Sequence, residues 1–301
     1  MPEPVYPPLE MPPTVERRKV TIWSNGVALD GDVYRPRQVA PDAELPAVVL
    51  CHGWGGSKLT GERYAALFAD AGMITLTFTQ ATWFGSGARV HLIGPPPERG
   101  ALGLAAAKVR LIRDQVDPVD WIQNFHAAID FIEGEPNVDP GRIGAWGTSF
   151  GGGVAIHAAA NDARIKVLSV QVTAVVPLSD RALARARQRA IEIARGAIDP
   201  IPEGLDARPG LAGSPNLAKS ARYNVLGELD RLHIPTNMID AGDEEMFAIA
   251  ENCGRAFEQL RGRPGQIVNY QVIPGIKHYG IYFEGYDASS RSALAWFERH
   301  L

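Results

Sequence analysis

A serine flanked by glycines stands where a predicted strand meets a predicted helix. Residues 147–151 read GTSFG, after an apolar run at 142–146 and before a helix of small residues at 149–160. An elbow of this kind forces the serine into strained backbone and lifts its Oγ clear of the sheet, and the glycines are needed because side chains there would collide. The pattern therefore predicts that Ser149 is a nucleophile for a carbonyl carbon.

A serine hydroxyl needs a base, and the base has to come from later in the chain. Among the seven histidines, His278 is the best placed, because it lies in a loop after the last predicted strand. The carboxyl ends of strands are where open α/β sheets bind their ligands. We therefore expect His278 to take the proton from Ser149.

The third member of such a site is the acid that orients the imidazole, expected after the strand at 235–240. The loop there offers Asp243, Glu244 and Glu245. The spacing from the Ile-Pro pair that opens the strand, and the acid-acid-apolar-apolar entry into the next helix, favour Glu244. Asp243 is the shorter and commoner choice, and Glu245 has a familiar spacing from the preceding glycine, so both stay as alternatives.

Acyl transfer also requires hydrogen-bond donors for the oxyanion. One should be the backbone N–H of Phe150, directly after the nucleophile, and the other should come from the glycine-rich loop at 51–56, which reads CHGWGG. Glycines let that backbone approach the substrate, and Trp54 N–H is the best candidate. We expect His52 to brace this loop and not to transfer protons.

Aromatic side chains on neighbouring predicted loops suggest an apolar substrate pocket. Trp83 and Phe84 are the predicted substrate-binding residues, with Trp54 and Phe150 close to them. A second feature is a basic stripe on one helix, formed by Arg181, Arg185 and Arg189. We expect a solvated helix face there, with attraction of an anionic substrate as the alternative.

Short β-branched runs alternate with helical stretches from residue 46 onward, which predicts a mostly parallel sheet with helices on both faces. Ahead of them, β-rich runs at 17–23 and 27–34 flank Ser24-Asn25-Gly26, a hairpin signal. We expect further strands at 47–50, 73–78, 142–146, 165–170, 235–240 and 266–273, and helices at 59–71, 117–134, 149–160, 245–261 and 285–300.

Two segments break this alternation, residues 85–116 and residues 177–230, and a proline-rich region precedes it. Six of the first thirteen residues are proline, so residues 1–16 are predicted to be an extended, poorly packed arm ahead of one domain at 17–301. Residues 177–230, an arginine-bearing helix followed by a Pro/Gly-rich stretch, are long enough to form a cap inserted into that domain.

The order Ser149, acid, His278, together with the elbow and the loop at 52–56, resembles the α/β-hydrolase superfamily. Within it the chain is most similar to dienelactone-hydrolase-like and Xaa-Pro-peptidase-like serine hydrolases. The resemblance implies an α/β-hydrolase fold of eight mostly parallel strands and a cofactor-free hydrolase of esters, thioesters or amides. Dienelactone hydrolases carry a cysteine where this chain has Ser149, so lactone specificity does not follow.

On these grounds we expect a serine hydrolase that cleaves a small-molecule carboxylic ester, thioester or lactone through an acyl-enzyme. The alternatives are an acyltransferase on the same residues, an amidase or peptidase, and, least favoured, a non-catalytic binding protein. No metal-ligand spacing or phosphate-binding loop is apparent, so neither metal nor cofactor is expected. A homodimer is compatible with the sequence.

Composition excludes several other classes. Lys and Arg number 30 against 34 Asp and Glu, so a nucleic-acid partner is not expected, and the balance fits a small uncharged ester better than a polyanion. No run approaches the roughly 20 apolar residues of a membrane span, and no signal-peptide pattern opens the chain, so we expect a cytoplasmic protein without membrane contact. Cys51 and Cys253 are predicted to be reduced, buried thiols.

Overall fold

In this computed structural model, which describes residues 6–201 and 203–301, eight strands form one sheet. They are β1 (Val15–Ser24), β2 (Val27–Pro36), β3 (Leu45–Cys51), β4 (Ile74–Phe78), β5 (Val138–Thr148), β6 (Ile165–Gln171), β7 (Thr236–Ala241) and β8 (Val268–Ile273). Their order is β1-β2-β4-β3-β5-β6-β7-β8, with β2 antiparallel to β1 and β4 and every later pairing parallel. The predicted α/β-hydrolase architecture is confirmed.

The hairpin between β1 and β2 follows directly from its sequence. Asn25 and Gly26 have φ values of 47° and 78°, the two positive values that a tight hairpin turn demands. Ser24 pairs with Val27 across this turn, so the predicted hairpin is confirmed.

Helices cover both faces of the sheet. They are α1 (Glu62–Asp70), α2 (Pro118–Glu133), α3 (Phe150–Asn161), α4 (Asp180–Ala194), α5 (Cys253–Arg261) and α6 (Tyr286–His300), with single turns at Leu217–Ser220 and Val225–Glu228. One core cluster includes Phe68 of α1, Phe297 of α6 and Trp146 of β5. The other includes Phe125 of α2 and Leu260 of α5, so the sheet is buried on both faces as parallel sheets require.

The arm and one helix differ from the predictions. Within the predicted arm at 1–16, residues 1–5 lie outside the described residues, whereas Leu9 and Met11 pack against a core cluster and β1 begins at Val15. The prediction that the arm is poorly packed is therefore wrong for these residues. The helix predicted at 245–261 begins at Cys253, because a loop at 242–248 and a short 3-10 turn at Ile249–Glu251 precede it.

Two short strand pairs lie outside the eight-stranded sheet, in residues 85–116 and 177–230. Arg89–Leu92 pairs with Val109–Ile112 in an antiparallel ribbon. Ser214–Pro215, within residues 177–230, pairs in parallel with Gln115–Val116. Residues 177–230, called the cap segment below, also contain α4, and Pro202 within them lies outside the described residues. No helix among the described residues is long and apolar enough to cross a membrane.

Candidate active site

Ser149 occupies the sharp turn between β5 and α3. Its backbone has φ 53° and ψ −126°, a strained conformation for a residue with a side chain, and its N–H donates a 2.9 Å hydrogen bond to the carbonyl of Gln171 on β6. The glycines of the elbow are a steric necessity, because a Cβ on Gly151 would lie 2.1 Å from the carbonyl oxygen of His52. The turn therefore exposes the hydroxyl while the backbone around it stays closely packed.

The predicted base and the favoured acid lie in line with this hydroxyl. His278 Nε2 is 3.1 Å from Ser149 Oγ, and His278 Nδ1 is 2.7 Å from Glu244 Oε2. The side chains of His278 and Glu244 are almost entirely buried, at 2% and 1% exposure, so water competes little with their contact. The three groups can pass a proton from the hydroxyl to the imidazole and stabilise the resulting cation.

The two alternative acids, Asp243 and Glu245, lie close by but make different contacts. Glu245 Oε2 accepts a 2.9 Å hydrogen bond from the backbone N–H of His278, not from its ring. Burial raises the pKa of Glu245, but this hydrogen bond and the nearby side chains of His278 and Lys277 outweigh burial and leave its pKa below the ordinary value. Asp243 is exposed, and its backbone N–H donates to the carbonyl of Ile276.

The loop after β3 passes directly beside the nucleophile. A Cβ on Gly53 would lie 2.9 Å from Ser149 Cβ, so only glycine allows this approach. Trp54 follows on the same loop, and Phe150 begins α3, where the first N–H groups of a helix have no acceptor within the helix. Both predicted oxyanion donors therefore belong to backbone that adjoins Ser149.

His52 is buried below this loop and stays neutral. Its Nε2 accepts from the backbone N–H of Gln80 at 3.1 Å, and its Nδ1 lies 2.8 Å from the Gly53 carbonyl, which assigns the proton to Nδ1. Burial lowers its pKa to about 4, although the hydrogen bond to Gly53 works in the opposite direction. These contacts agree with a bracing role for His52.

Ser149 lines a mostly apolar cavity of about 220 Å³. Arg208 is the charged side chain among the described residues that line it. The loop at 242–248 and the cap segment supply wall residues that the sequence analysis does not predict. Phe247 and Tyr279 could have been found, because they are close in sequence to Glu244 and His278. The apolar and aromatic walls include Trp54, Val116, Phe150, Val176, Leu178, Leu211, Met246 and Phe247.

The two predicted substrate-binding aromatics do not line this cavity. Trp83 is buried at 6% exposure, with its Nε1 donating to the carbonyl of Gln115 and its ring edge-on to Trp121. Phe84, the next residue, is 88% exposed. The prediction that Trp83 and Phe84 bind substrate is therefore corrected, because the turn directs one ring into the core and the other into solvent.

A buried carboxyl lies on β7 below the loop that carries Glu244. The hydroxyl of Tyr270 donates to Asp240 Oδ2 at 3.0 Å, and Oδ1 is buried with no partner among the described residues. Burial, together with the charge of Glu244, raises the pKa of Asp240 to about 7, against the hydrogen bonds from Tyr270 and Cys253.

The remaining predicted features are structural. Cys51 and Cys253 are free and buried, as expected, and burial raises the pKa of the Cys51 thiol to about 12. Arg185 and Arg189 both contact the carboxylate of Asp206. Among residues 6–201 and 203–301, no three His, Cys, Asp or Glu side chains form a group that could hold a metal ion.

Comparison with known proteins identifies related sequences. The family profile described as X-Pro dipeptidyl-peptidase (S15 family) matches residues 25–261. An uncharacterized protein, PA2218 of Pseudomonas aeruginosa, is 33% identical over 156 residues, 51% of this chain and 36% of that protein. Thiohydrolase aneE of Aspergillus aculeatus is 28% identical over 142 residues, 47% of this chain and 38% of that protein. The matches thus span little more than a third of these curated relatives.

Solved structures agree on the fold across nearly the whole chain. The hypothetical protein PA2218 of Pseudomonas aeruginosa superposes with a TM-score of 0.71 at 21% identity, covering 97% of this chain and 96% of that one. The α/β hydrolase GrgF from a Penicillium species gives 0.68 at 17% identity, with coverages of 95% and 99%. A dienelactone hydrolase from Anabaena variabilis gives 0.58 at 17% identity, with coverages of 96% and 99%.

Proposed function

The chain belongs to the X-Pro dipeptidyl-peptidase (S15) family within the α/β-hydrolase superfamily, and on this premise we propose that it is a serine hydrolase that cleaves carboxylic esters. One observation carries the proposal: Ser149 Oγ, the His278 ring and Glu244 form a continuous hydrogen-bonded line at an apolar cavity.

In the first half-reaction, Ser149 Oγ attacks the ester carbonyl carbon while His278 Nε2 takes the hydroxyl proton. The carbonyl π electrons move to the oxygen, and Glu244 stabilises the imidazolium through Nδ1–H. The backbone N–H groups of Trp54 and Phe150 stabilise the oxyanion. Collapse of this intermediate expels the alcohol, which takes its proton from His278, and leaves an acyl group on Ser149.

In the second half-reaction, His278 removes a proton from water and the hydroxide attacks the acyl-enzyme. Ser149 leaves with the proton from His278, and the carboxylic acid is released. Acyl transfer to an alcohol or amine would use the same residues with the acceptor in place of water. Product analysis with added acceptors separates the two reactions.

The cavity favours an apolar acyl group, since aliphatic and aromatic side chains form most of its wall. A thioester is the second candidate linkage, because the relative aneE carries the name thiohydrolase and the same attack suits a thioester carbonyl. A peptide with a free N-terminus fits less well, since the guanidinium of Arg208 in the cavity wall would repel an ammonium group.

Covalent labelling tests the proposal directly. A fluorophosphonate probe should label the wild-type protein through displacement of fluoride by Ser149 Oγ, and Ser149→Ala should remove both labelling and hydrolysis of p-nitrophenyl hexanoate. Ser292→Ala, on the half-buried face of α6, is the matched control and should keep both. Equal labelling of the wild-type and Ser149→Ala proteins would overturn the assignment of Ser149. A parallel assay with hexanoyl p-nitroanilide and a hexanoyl thioester ranks the three linkages.

A further inference from the structure

A second chamber adjoins the cavity at Ser149. It has a volume of about 390 Å³, and Arg208, Pro215 and Leu217 line both spaces. Its remaining walls come from α4 and from the loop at 205–207. A substrate bound at Ser149 can therefore extend along the cap segment and stay in contact with the protein.

The described residues that line this chamber carry more positive than negative charge. Arg181, Arg185 and Arg208 line it, whereas Asp206 is the carboxylate among its described wall residues. Asp206 is already shared, at 2.5 Å from Arg185 Nη2 and 3.2 Å from Arg189 Nε. Within the described part of the chain, neither Arg181 nor Arg208 has an ion pair, so two guanidinium groups remain available to an anion.

Arg208 stands at the junction of the two spaces. Its Cζ lies 5.6 Å from the centre of the Trp54 ring, in a cation–π contact, and Trp54 itself is fixed by a 2.7 Å hydrogen bond from its Nε1 to the carbonyl of Ala212. The guanidinium is thus held beside the loop that carries the proposed oxyanion donor. An anionic group bound there would fix the orientation of the whole substrate.

We propose that the substrate is an ester with one carboxylate, whose apolar part fills the cavity at Ser149 and whose carboxylate binds Arg208 and Arg181 in the adjoining chamber. This inference rests on the proposed hydrolase function and specifies its substrate class. The planar guanidinium matches a carboxylate through paired N–H donors. It replaces the expectation of an uncharged ester drawn from the near-neutral net charge.

Two pairs of esters test the proposal and locate the carboxylate. The acyl pair is p-nitrophenyl hexanoate and mono-p-nitrophenyl adipate, which differ by a terminal carboxylate on the acyl chain. The alcohol pair is the hexanoyl ester of methyl 4-hydroxybenzoate and that of 4-hydroxybenzoate. In one of the two pairs, we expect the ratio of kcat/KM for the anionic ester to that for the neutral ester to be about tenfold higher in wild type than in Arg208→Met.

Further variants separate the charge from the packing of Arg208. Arg181→Met should lower the same ratio, and Arg208→Lys should keep part of it because it keeps the charge without the paired donors. Arg187→Met removes an exposed arginine of α4 that lines neither space and should leave the ratio unchanged. The ratio should also fall as salt is raised, because ions screen exposed charges.

A binding measurement keeps this inference distinguishable from the proposed catalysis. Monomethyl adipate should change the tryptophan fluorescence of the Ser149→Ala protein at lower concentration than dimethyl adipate does, and Arg208→Met should remove the difference. Equal ratios in wild type and Arg208→Met for both ester pairs, or equal binding of the two adipates, would overturn the anion site. Failure to hydrolyse any of the four esters, with selective adipate binding intact, would overturn the hydrolase function alone.

Discussion

The carboxylate of Glu245 accepts a 2.9 Å hydrogen bond from the backbone N–H of His278, and the preceding residue, Glu244, contacts the imidazole ring of the same histidine. Two successive acids thus bind the same histidine at its main chain and at its ring. The loops after β7 and β8 are thereby joined at two points, which fixes both the position and the rotation of the imidazole.

The first prediction distinguishes the candidate acids. Glu244→Gln should lower kcat by about 10³–10⁴-fold, because an amide that donates to Nδ1 would hold the histidine in the wrong tautomer. Asp243→Asn, the matched control on the exposed neighbour, should keep kcat within about twofold, as surface substitutions usually do. The measurement is the steady-state hydrolysis of p-nitrophenyl hexanoate. A larger loss in Asp243→Asn than in Glu244→Gln would reassign the acid.

The second prediction concerns the close approach of the loop after β3. Gly53→Ala places a methyl group 2.9 Å from Ser149 Cβ and 3.2 Å from the carbonyl oxygen of Thr148, so either the loop or the nucleophile must shift. We expect kcat to fall by about 10²-fold, the usual cost of misplacing a reacting group by an ångström.

Gly262→Ala is the control for that experiment. This glycine follows α5 with an ordinary helical φ of −70°. The nearest atom to its added Cβ, the carbonyl oxygen of Glu258, would lie 3.6 Å away, which is ordinary contact. Activity should therefore be unchanged. If Gly53→Ala kept wild-type kcat with the same melting temperature, the loop would not adjoin the reacting centre.

The third prediction follows from the buried carboxyl of Asp240. Its pKa is raised to about 7 by burial, against about 3.9 in an unfolded chain, so the native state binds more protons between these two values. The contribution of Asp240 to the free energy of unfolding should therefore fall as pH rises from 4 to 7 and become flat above 7, with a slope of up to about 1.4 kcal/mol per pH unit.

Asp240→Asn removes this titration while keeping the size of the side chain. The variant should gain stability over wild type as pH rises, by on the order of 2 kcal/mol at pH 8. Urea unfolding at pH 4.5, 6 and 8 measures the difference, with Asp243→Asn as an exposed control. A constant difference across the three pH values would show that Asp240 does not titrate in this range.

The fourth prediction concerns Tyr223, whose ring packs 5.5 Å from that of Phe150. Its hydroxyl is buried with no partner among the described residues, close to the backbone of Gly153. An unpaired buried hydroxyl costs free energy. Tyr223→Phe should therefore leave the free energy of unfolding unchanged or raise it by up to about 1 kcal/mol, and the melting temperature should not fall. Tyr223→Ala should instead destabilise by about 3 kcal/mol through the lost ring. A lower melting temperature for Tyr223→Phe would mean that the hydroxyl has a partner.

Local patterns were sufficient for much of the fold and for the line of three polar groups. The Asn25-Gly26 turn, the strand alternation and the glycines around Ser149 each express a short-range steric rule, so they could be predicted from neighbouring residues. Spacing and the acid-acid-apolar-apolar pattern after it favour Glu244 over Asp243, and the contact to His278 agrees with that choice.

Features that depend on distant chain segments could not be predicted in the same way. Trp83 and Phe84 are adjacent aromatics, and nothing in their sequence indicates that the first bonds to Gln115, 32 residues away, while the second faces solvent. Arg208 lies in a Pro/Gly-rich stretch without periodicity, so its place in the wall of the cavity follows only from how the cap segment packs. The helix predicted from residue 245 begins only at Cys253. The carboxylates of Glu244 and Glu245 accept hydrogen bonds from the backbone N–H groups of Met246 and His278, which keeps this segment a loop.

The parallel pairing of Ser214–Pro215 with Gln115–Val116 divides the cap segment into two halves with different freedom to change. The later half is tied to the main domain, since Ser214 N–H donates to Asp114 and Lys219 pairs with Asp117. Within the earlier half, α4 buries Ala186 alone among its residues. Laboratory evolution of new substrate preferences should therefore accumulate its substitutions on α4, where the sequence can vary without loss of the folded state.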